Sequence, residues 1–386
     1  MSRVAYLDYN ATTPMDPRVL EAFIPFLTEI VGNAASEHAA GRRVRHAVET
    51  ARSQVADAIG ASSSTLIFTS GATESINLAL KGTALGSTGQ RRKVVTFATE
   101  HKAVLDTCDW LRSQGTPVDV VAVTRDGIPD LGAASEAIDE QTALVSVMAA
   151  NNETGVLGPV TDIVSLSRRV GALVHCDATQ ALGKVPFDVE AIGVDFASIS
   201  SHKVYGPTGV GALFVRRGKD VGLVPLIHGG GHERGLRSGT LNSAAIVGFG
   251  AAAALAMSEL SPDAARIRVL RDALEMGIST SWPQTQVVGR SAPRLPNTLN
   301  VRLPGVDAQA VLLAMPDVAA STGSACTAAS PAPSHVLRAM GLDHQEAQEC
   351  IRFSLGRFST MEDVRAALNA LSLATDRVRG LKVASA

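Results

Sequence analysis

The stretch SISSHKVYGPTGVG, residues 198–211, ends an apolar strand pattern at two serines, a histidine and a lysine, then continues through glycines and a proline. A lysine at the end of a buried strand is unusual because a desolvated ammonium is costly. A lysine that has lost its proton, however, is a nucleophile that can form a Schiff base with a carbonyl compound. Lys203 is therefore the first candidate for a catalytic residue.

The same pattern of an apolar strand followed by a polar turn occurs repeatedly before this stretch. The other runs are STLIFTSGATE, KVVTFATEHKA, PVDVVAVTRDG, TALVSVMAANNETG and GALVHCDATQ, and helical patterns such as SINLALKGTAL and VTDIVSLSRRV lie between some of them. This alternation predicts an α/β fold with a mostly parallel sheet covered by helices. Because chemistry in such folds gathers at the carboxyl ends of the strands, we expect one pocket formed by residues 70–74, 99–101, 151–154, 177–180 and 200–203.

The composition favours small-molecule chemistry. The chain has 386 residues and a formal charge of only -2, so no electrostatic argument favours nucleic acid or an anionic membrane as a partner. The run AAIVGFGAAAALAM, residues 244–257, is too short to cross a bilayer and is interpreted as a buried helix. The first residues lack the apolar region of a signal peptide, which predicts a cytoplasmic location.

The pattern changes after about Leu255. A helix is predicted over residues 262–279, followed by a strand in PNTLNVRLPG, a helix over DAQAVLLAM and a terminal amphipathic helix in MEDVRAALNALSLATDRV. We therefore predict a large domain of residues 14–254 and a smaller α+β domain of residues 1–13 and 255–386. The segment STGSACTAASPAPS, residues 321–334, has few side chains that could bury area, and we expect it to move.

Three features together predict a pyridoxal-phosphate site. The turn at residues 70–73 precedes a helix whose N–H groups could bind phosphate, although such a turn is more often only a helix cap. Asp177 could cap the following turn or face a protonated heterocyclic nitrogen, and these readings are evenly matched. Lys203 completes the set, because pyridoxal phosphate needs a lysine, an acid for its pyridine nitrogen and a phosphate cradle. His101 adds an imidazole suited to stacking and proton transfer, although a lone histidine is usually only structural.

Ten motifs in order resemble those of the cysteine desulfurases, pyridoxal-phosphate enzymes of fold type I in the class-V aminotransferase-like group. They are YLDYNATTP at position 6, SGATES at 70, TEHKAV at 99, NNETG at 151, DATQALGKVP at 177, SSHKVYGPTGVGAL at 200, GGGHERGLRSGT at 229, STGSAC at 321, HVLRAMG at 335 and IRFSLGRF at 351. The resemblance covers nearly the whole chain. It implies a seven-stranded, mostly parallel sheet and a smaller second domain.

The resemblance also implies a role for each matching residue. Lys203 would hold the cofactor covalently, Asp177 would contact the pyridine nitrogen and His101 would stack on the ring. Arg352, together with Asn152, would bind the substrate carboxylate, although an ion pair inside the second domain is an alternative for Arg352. Asn152 and Gln180 would contact the ring hydroxyl of the cofactor. The phosphate would be bound by Ala72, Thr73, Ser200 and His202. Thr240 of the neighbouring subunit in a homodimer would also reach the phosphate.

The four cysteines are expected to differ in role. Cys108, Cys176 and Cys350 have no CxxC spacing and are interpreted as buried, reduced thiols. Cys326 lies in the small-residue segment, and the resemblance implies that it takes sulfur from L-cysteine, leaving L-alanine, and passes the sulfur to an iron–sulfur scaffold or another acceptor. No permanent metal site is expected, although kinship suggests a transient contact of Cys326 with an iron–sulfur cluster.

Two positions depart from the family pattern, Ala34 in place of a proline and His232 in place of a glutamine, and we expect them to affect only loop rigidity or subunit contacts. HVLRAM and the loop before it are closer to the long-loop branch, which includes nitrogenase-linked members. An aminotransferase or a selenocysteine lyase on the same scaffold is the alternative enzyme. A scaffold without cofactor, which only binds sulfur acceptors, is the alternative outside catalysis.

Overall fold

The computed structural model describes residues 4–87, 91–216, 222–323 and 333–384. The strands are β1 (Ala5–Tyr6), β2 (Leu66–Thr69), β3 (Lys93–Phe97), β4 (Val118–Val121), β5 (Thr142–Met148), β6 (Leu173–Asp177), β7 (Phe196–Ser200), β8 (Gly211–Val215), β9 (Gln286–Val287), β10 (Thr298–Arg302), β11 (Val318–Ala319) and β12 (Cys350–Ser354). The helices are α1 (Pro17–Phe23), α2 (Pro25–Thr28), α3 (Ala39–Asp57), α4 (Ala72–Gly86), α5 (Lys102–Ser113), α6 (Leu131–Ala137), α7 (Val160–Val170), α8 (Val189–Ile192), α9 (Ser243–Ser281), α10 (Ala308–Leu313), α11 (His335–Ala339), α12 (His344–Gln348) and α13 (Met361–Ala384).

A seven-stranded sheet forms the centre of the fold, with the strand order β2-β8-β7-β6-β5-β3-β4. The pairs β3–β4, β3–β5, β5–β6 and β6–β7 are parallel, whereas β8 runs antiparallel to both β2 and β7. Six strands therefore share one direction and only β8 opposes them. All six apolar runs identified in the sequence form strands of this sheet, which confirms the predicted α/β architecture.

Helices cover the sheet on both faces, and α3 and α9 pack against each other within the larger apolar cluster. Gly250 in α9 permits this contact, because a Cβ atom at this position would lie 2.6 Å from Cα of Ala51 in α3. On the opposite face, Ile76 and Leu80 of α4 and Val104 of α5 belong to a separate apolar cluster against the sheet. Apart from the edge strand β4, whose middle residues are exposed, the strands between these layers are buried along almost their whole length, which explains their continuous apolar sequence.

The prediction that a separate helix begins at Pro262 is wrong. A single 39-residue helix, α9, continues through Pro262. Glu259 precedes the proline and Asp263 follows it, and both form ion pairs with Arg357. Nε of Arg357 lies 3.2 Å from a carboxylate oxygen of Glu259 and 2.9 Å from one of Asp263. These contacts and the buried faces of both halves offset the hydrogen bond that proline removes.

The helix α9 is long and apolar enough, by length and composition alone, to cross a membrane. Half of its most apolar window is buried inside the fold, where its first part packs on α3 and α1. A core helix passes the same test of length and composition, so this property is weak support for a membrane span.

A second apolar cluster lies around a three-stranded sheet of order β12-β10-β9, and β1 pairs with β11 beside it. The later part of α9, together with α10 and α13, contributes side chains to this cluster, including Leu274, Val311 and Leu371. The chain passes from the first cluster to the second within α9. The domain boundary between residues 254 and 255 falls inside this helix and stays a prediction.

A histidine is enclosed in the central sheet at His175 of β6. It is fully buried, and its two ring nitrogens lie 2.9 Å from Oγ of Ser146 and 2.8 Å from Oγ of Ser198, on the neighbouring strands. Burial lowers the pKa of His175 to about 4, although the nearby Asp177 acts in the opposite direction. The ring is therefore neutral in the folded protein above that pH.

The free energy of unfolding should fall as the pH is lowered from about 6.5 to about 4. The unfolded chain binds a proton at His175 in this range while the folded chain does not, and at about 1.4 kcal/mol per pKa unit the loss is on the order of 3 kcal/mol. The variant His175→Gln, whose amide can still bond both serines, should show a shallower pH dependence in denaturant titrations between pH 4 and 7. Equal slopes in the two proteins would contradict this assignment.

Candidate active site

A cavity of about 390 Å³ lies at the carboxyl edge of the central sheet. All five strand-end clusters identified in the sequence contribute to it. The site candidates that line it are Ala72, Thr73, His101, Asn152, Asp177, Gln180, Ser200, His202, Lys203 and Arg352. Thr240 is exposed and lines a different, neighbouring cavity, and Cys326 lies outside the described residues.

Lys203 ends a short 3-10 turn, Ser201–Lys203, that directly follows β7. Its Nζ donates hydrogen bonds of 2.6 Å to the main-chain carbonyls of both Asn10 and Ala11. The N-terminal segment is bound to the same turn, because the N–H of Thr13 donates to the carbonyl of His202 at 3.0 Å. The amine is thus held by backbone groups from the opposite end of the chain.

Asp177 ends β6 with 7% of its surface exposed, and its placement is compatible with both functions considered for it. Its Oδ1 accepts a hydrogen bond of 3.0 Å from the N–H of Thr179, as a capping aspartate does, and the residue also lines the cavity. The cap fixes the orientation of the carboxylate. A carboxylate at this position can face a protonated ring nitrogen.

His101 is the N-cap residue of α5, a role that the sequence analysis missed. Its Nδ1 accepts a hydrogen bond of 3.1 Å from the N–H of Ala103. Since an accepting nitrogen carries no proton, the neutral ring bears its proton on Nε2. Nε2 is therefore the atom of His101 through which a proton can be exchanged in the cavity.

The turn before α4 provides a cradle for an anion. Within the described part of the chain no side chain caps this helix at Gly71, so its first N–H groups are left for a ligand. Ser200 is close, since a Cβ atom on Gly71 would lie 3.9 Å from its Oγ. Burial, together with Lys203 and Lys184, lowers the pKa of His202 to about 4, so its imidazole is neutral.

The donors around this turn fit pyridoxal phosphate. Helix N–H groups, the hydroxyl of Ser200 and the neutral imidazole of His202 suit a phosphate, Asp177 suits a pyridinium nitrogen and Lys203 suits an aldehyde. All of these groups line one cavity, whose volume of about 390 Å³ lies within the usual range for small-molecule pockets.

Arg352 reaches the cavity from β12, and its side chain is almost fully buried. One terminal nitrogen donates to the carbonyl of Asn152 at 3.0 Å, and the other forms an ion pair with Asp8 at 2.7 Å. The interior ion pair considered as an alternative is therefore present. The Nε atom is buried and has no hydrogen-bond partner in the described residues, so its N–H is among the guanidinium donors left for a ligand.

A fully buried carboxyl group, that of Glu100, is a feature that sequence reasoning did not identify. Glu100 is fully buried, and its Oε1 accepts a hydrogen bond of 2.7 Å from the N–H of Met148. Burial and then the charge of Asp177 raise the pKa of Glu100 well above its usual value. Both burial and the neighbouring Asp177 therefore disfavour a charge on Glu100.

The two departures from the family pattern lie together, away from the site. Ala34 and His232 both line a second cavity of about 450 Å³. Nδ1 of His232 accepts a hydrogen bond of 3.3 Å from the N–H of Gly239. Neither residue lines the cavity that holds Lys203.

The comparisons with known proteins agree with this geometry. The family model described as aminotransferase class-V matches residues 5–367. The chain belongs to the class-V aminotransferase family. A protein of Anaeromyxobacter dehalogenans (strain 2CP-C) named cysteine desulfurase IscS is 51% identical over 378 residues, which cover 98% of this chain and 93% of that protein. A cysteine desulfurase IscS of Rickettsia peacockii (strain Rustic) is 45% identical over 97% of this chain and 92% of its own.

Solved structures share the fold over nearly the full length. A NifS-like protein superposes with a TM-score of 0.89 at 40% identity and covers 98% of this chain and 99% of its own. The NifS-like protein from Rickettsia africae ESF-5 has a TM-score of 0.86 at 33% identity, covering 97% and 100%. The resemblance to the cysteine desulfurases and the fold-type I architecture are thereby confirmed.

Gly71→Ala should weaken binding of pyridoxal 5′-phosphate by about tenfold, because φ of Gly71 is +155° and a side chain would force the helix N-terminus away from the phosphate. The matched control is Gly115→Ala, which also has a positive φ and open space around its Cβ position but lies far along the chain, after α5. Both variants should lose stability by about 1 to 2 kcal/mol. Absorbance titration of the apoproteins measures the difference, and equal cofactor affinities would contradict the cradle.

Proposed function

We propose that this chain is a pyridoxal-phosphate-dependent cysteine desulfurase, a sulfurtransferase. It converts L-cysteine and the thiol of Cys326 into L-alanine and a persulfide on Cys326, so one sulfur atom moves and no outside oxidant is needed. The observation that carries the proposal is the single cavity that joins the amine of Lys203, the carboxylate of Asp177 and the uncapped end of α4. The full-length similarity to cysteine desulfurases supports it.

Bound pyridoxal phosphate supplies an electron sink for the charge that develops when the α proton of the amino acid is removed. Lys203 is the residue that would hold the cofactor and, once released, remove that proton. Asp177 would keep the pyridine nitrogen protonated through its negative charge. Asn152 and Gln180 would contact the ring hydroxyl. The phosphate would be contacted by Ala72, Thr73, Ser200 and His202.

Two residues would orient the substrate and move its protons. Arg352 would bind the carboxylate through guanidinium N–H groups that its bonds to Asp8 and Asn152 leave unused, that of Nε among them. His101 would stack on the ring and exchange a proton with a thiol through Nε2, because Nδ1 is occupied by the helix cap. An imidazole titrates close to neutral pH without a large perturbation, which suits this role.

The chemistry of the cysteines supports Cys326 as the sulfur acceptor. Burial raises the pKa of Cys108 and of Cys350 to about 12 and that of Cys176 well above its usual value. The thiolate is the reactive form, so these three buried thiols are poor nucleophiles. Of the four cysteines in the chain, Cys326 is the one left for the transfer.

The proposal extends to assembly, location and partners. Thr240 is exposed and lies outside the cavity of its own chain, which supports a homodimer in which it reaches the phosphate of the neighbouring subunit. The persulfide would be passed to an iron–sulfur scaffold or another acceptor protein. The cytoplasm suits this chemistry because its reducing conditions keep thiols free.

The variant Cys326→Ser tests the transfer step. After addition of L-cysteine to the loaded protein, mass spectrometry should find one extra sulfur on the Cys326 peptide, with release of alanine. In Cys326→Ser, cofactor binding should persist while sulfide and alanine production collapse. The control Cys350→Ser should retain turnover, because this buried thiol donates to the carbonyl of Glu346 and does not line the cavity. Full turnover by Cys326→Ser would refute the persulfide step.

A further inference from the structure

A second lysine amine, that of Lys184, lies beside Lys203 without lining the cavity. The residues from 178 to 185 form consecutive turns in which the N–H of Lys184 donates to the carbonyl of Ala181 at 3.0 Å. This turn places Lys184 and Gln180, four positions apart, on one face. Nζ of Lys184 donates hydrogen bonds to Oε1 of Gln180 and, at 3.2 Å, to Oδ1 of Asn10.

Asn10 connects both amines. It is 1% exposed, and its main-chain carbonyl accepts hydrogen bonds from Nε2 of Gln180 at 3.0 Å and from Nζ of Lys203 at 2.6 Å. Lys184, Gln180 and Asn10 therefore form a closed ring of hydrogen bonds, and Lys203 is attached to it at the carbonyl of Asn10.

The remaining groups of Asn10 fix its orientation. Its N–H donates to Oγ of Ser354 at 2.9 Å. Its side-chain amide donates to the carbonyl of Asn152 at 3.1 Å and to Oγ1 of Thr298 at 2.8 Å, and its Oδ1 also accepts from Asn297 at 3.0 Å. Every donor of Asn10 is used and each of its oxygens accepts twice, so the residue cannot rotate without breaking several bonds.

The amine of Lys184 is held between two side-chain oxygens in a buried setting. Burial of the amine, with the charges of Lys203 and Arg352, holds the pKa of Lys184 well below its usual value. Two acceptors, Oε1 of Gln180 and Oδ1 of Asn10, are found for Lys184 among the described residues. Its contribution at this position is therefore directional hydrogen bonding.

We propose that Lys184 is a positioning residue for Lys203 that acts through Gln180 and Asn10. Lys184 holds the carbonyl oxygen of the Gln180 amide, and this sets the NH₂ group of Gln180 toward the carbonyl of Asn10 that binds Lys203. Loss of Lys184 frees the Gln180 amide to rotate. It also removes one of the two hydrogen bonds that Oδ1 of Asn10 accepts. The inference rests on the proposed function, since it concerns how the chain presents Lys203 to pyridoxal phosphate.

The test compares Lys184→Met with Lys93→Met. Lys93 is also buried and donates to Ala137 at 2.6 Å and to Asp139 at 2.7 Å, but it lies at the amino end of β3, across the sheet from the site. Binding of pyridoxal 5′-phosphate to each apoprotein is followed by absorbance, and stability by thermal unfolding. Lys184→Met should bind about tenfold more weakly with a shifted absorption maximum. Lys93→Met should lose stability while keeping wild-type affinity and spectrum.

A double-mutant comparison separates positioning from general destabilisation. In a Gln180→Leu background, Lys184→Met should cost less affinity than it does alone, because the path through Gln180 is already gone. Equal losses in both backgrounds would overturn the inference, as would wild-type affinity and spectrum in Lys184→Met or an equal affinity loss in Lys93→Met. If Lys184→Met does not fold, Lys184→Gln is compared in the same way with Lys93→Met and with the Gln180→Leu background. Failure of the unmodified chain to bind the cofactor would instead contradict the proposed function.

Discussion

The site depends on one constraint, which is that the amine of Lys203 must be held in place at an enclosed strand end. The main-chain carbonyls of Asn10 and Ala11 meet this need, with hydrogen bonds of 2.6 Å each. Both carbonyls belong to a segment almost two hundred positions before Lys203 in the chain, so the contact is one of tertiary structure. The N-terminal segment is thereby part of the site.

The arrangement of the sheet explains why the other groups face the same cavity. Because β2, β3, β5, β6 and β7 run in one direction, the segments that follow them meet at one edge of the sheet. Each segment adds one chemical function there: an uncapped helix end, an imidazole, an amide, a carboxylate and an amine. The smaller cluster adds Arg352 from β12, and Asn10 joins the two parts by hydrogen bonds to Asn152, Thr298 and Ser354.

The sequence predicts well what depends on local pattern. Apolar runs with polar ends identified six strands and the edge at which the site forms, because burial on both faces leaves a continuous apolar signature. The sequence-based prediction was wrong at Pro262, where it placed the start of a new helix. The ion pairs that support the continuous helix there are made by Arg357, which lies almost a hundred positions further along the chain. The cap made by His101 and the ring of Asn10, Gln180 and Lys184 also depend on side-chain orientation in three dimensions. The sequence offered one indication of that ring, which is that Lys184 follows Gln180 by four positions.

The most direct measurement of the central claim is to identify the amine that holds the cofactor. Borohydride reduction of the protein loaded with pyridoxal 5′-phosphate converts the link into a stable secondary amine, and peptide mass spectrometry then locates it. The account predicts modification of Lys203 alone, because its amine lines the cavity while that of Lys184 is bound to Gln180 and Asn10. Modification of Lys184, or of no lysine at all, would contradict the account.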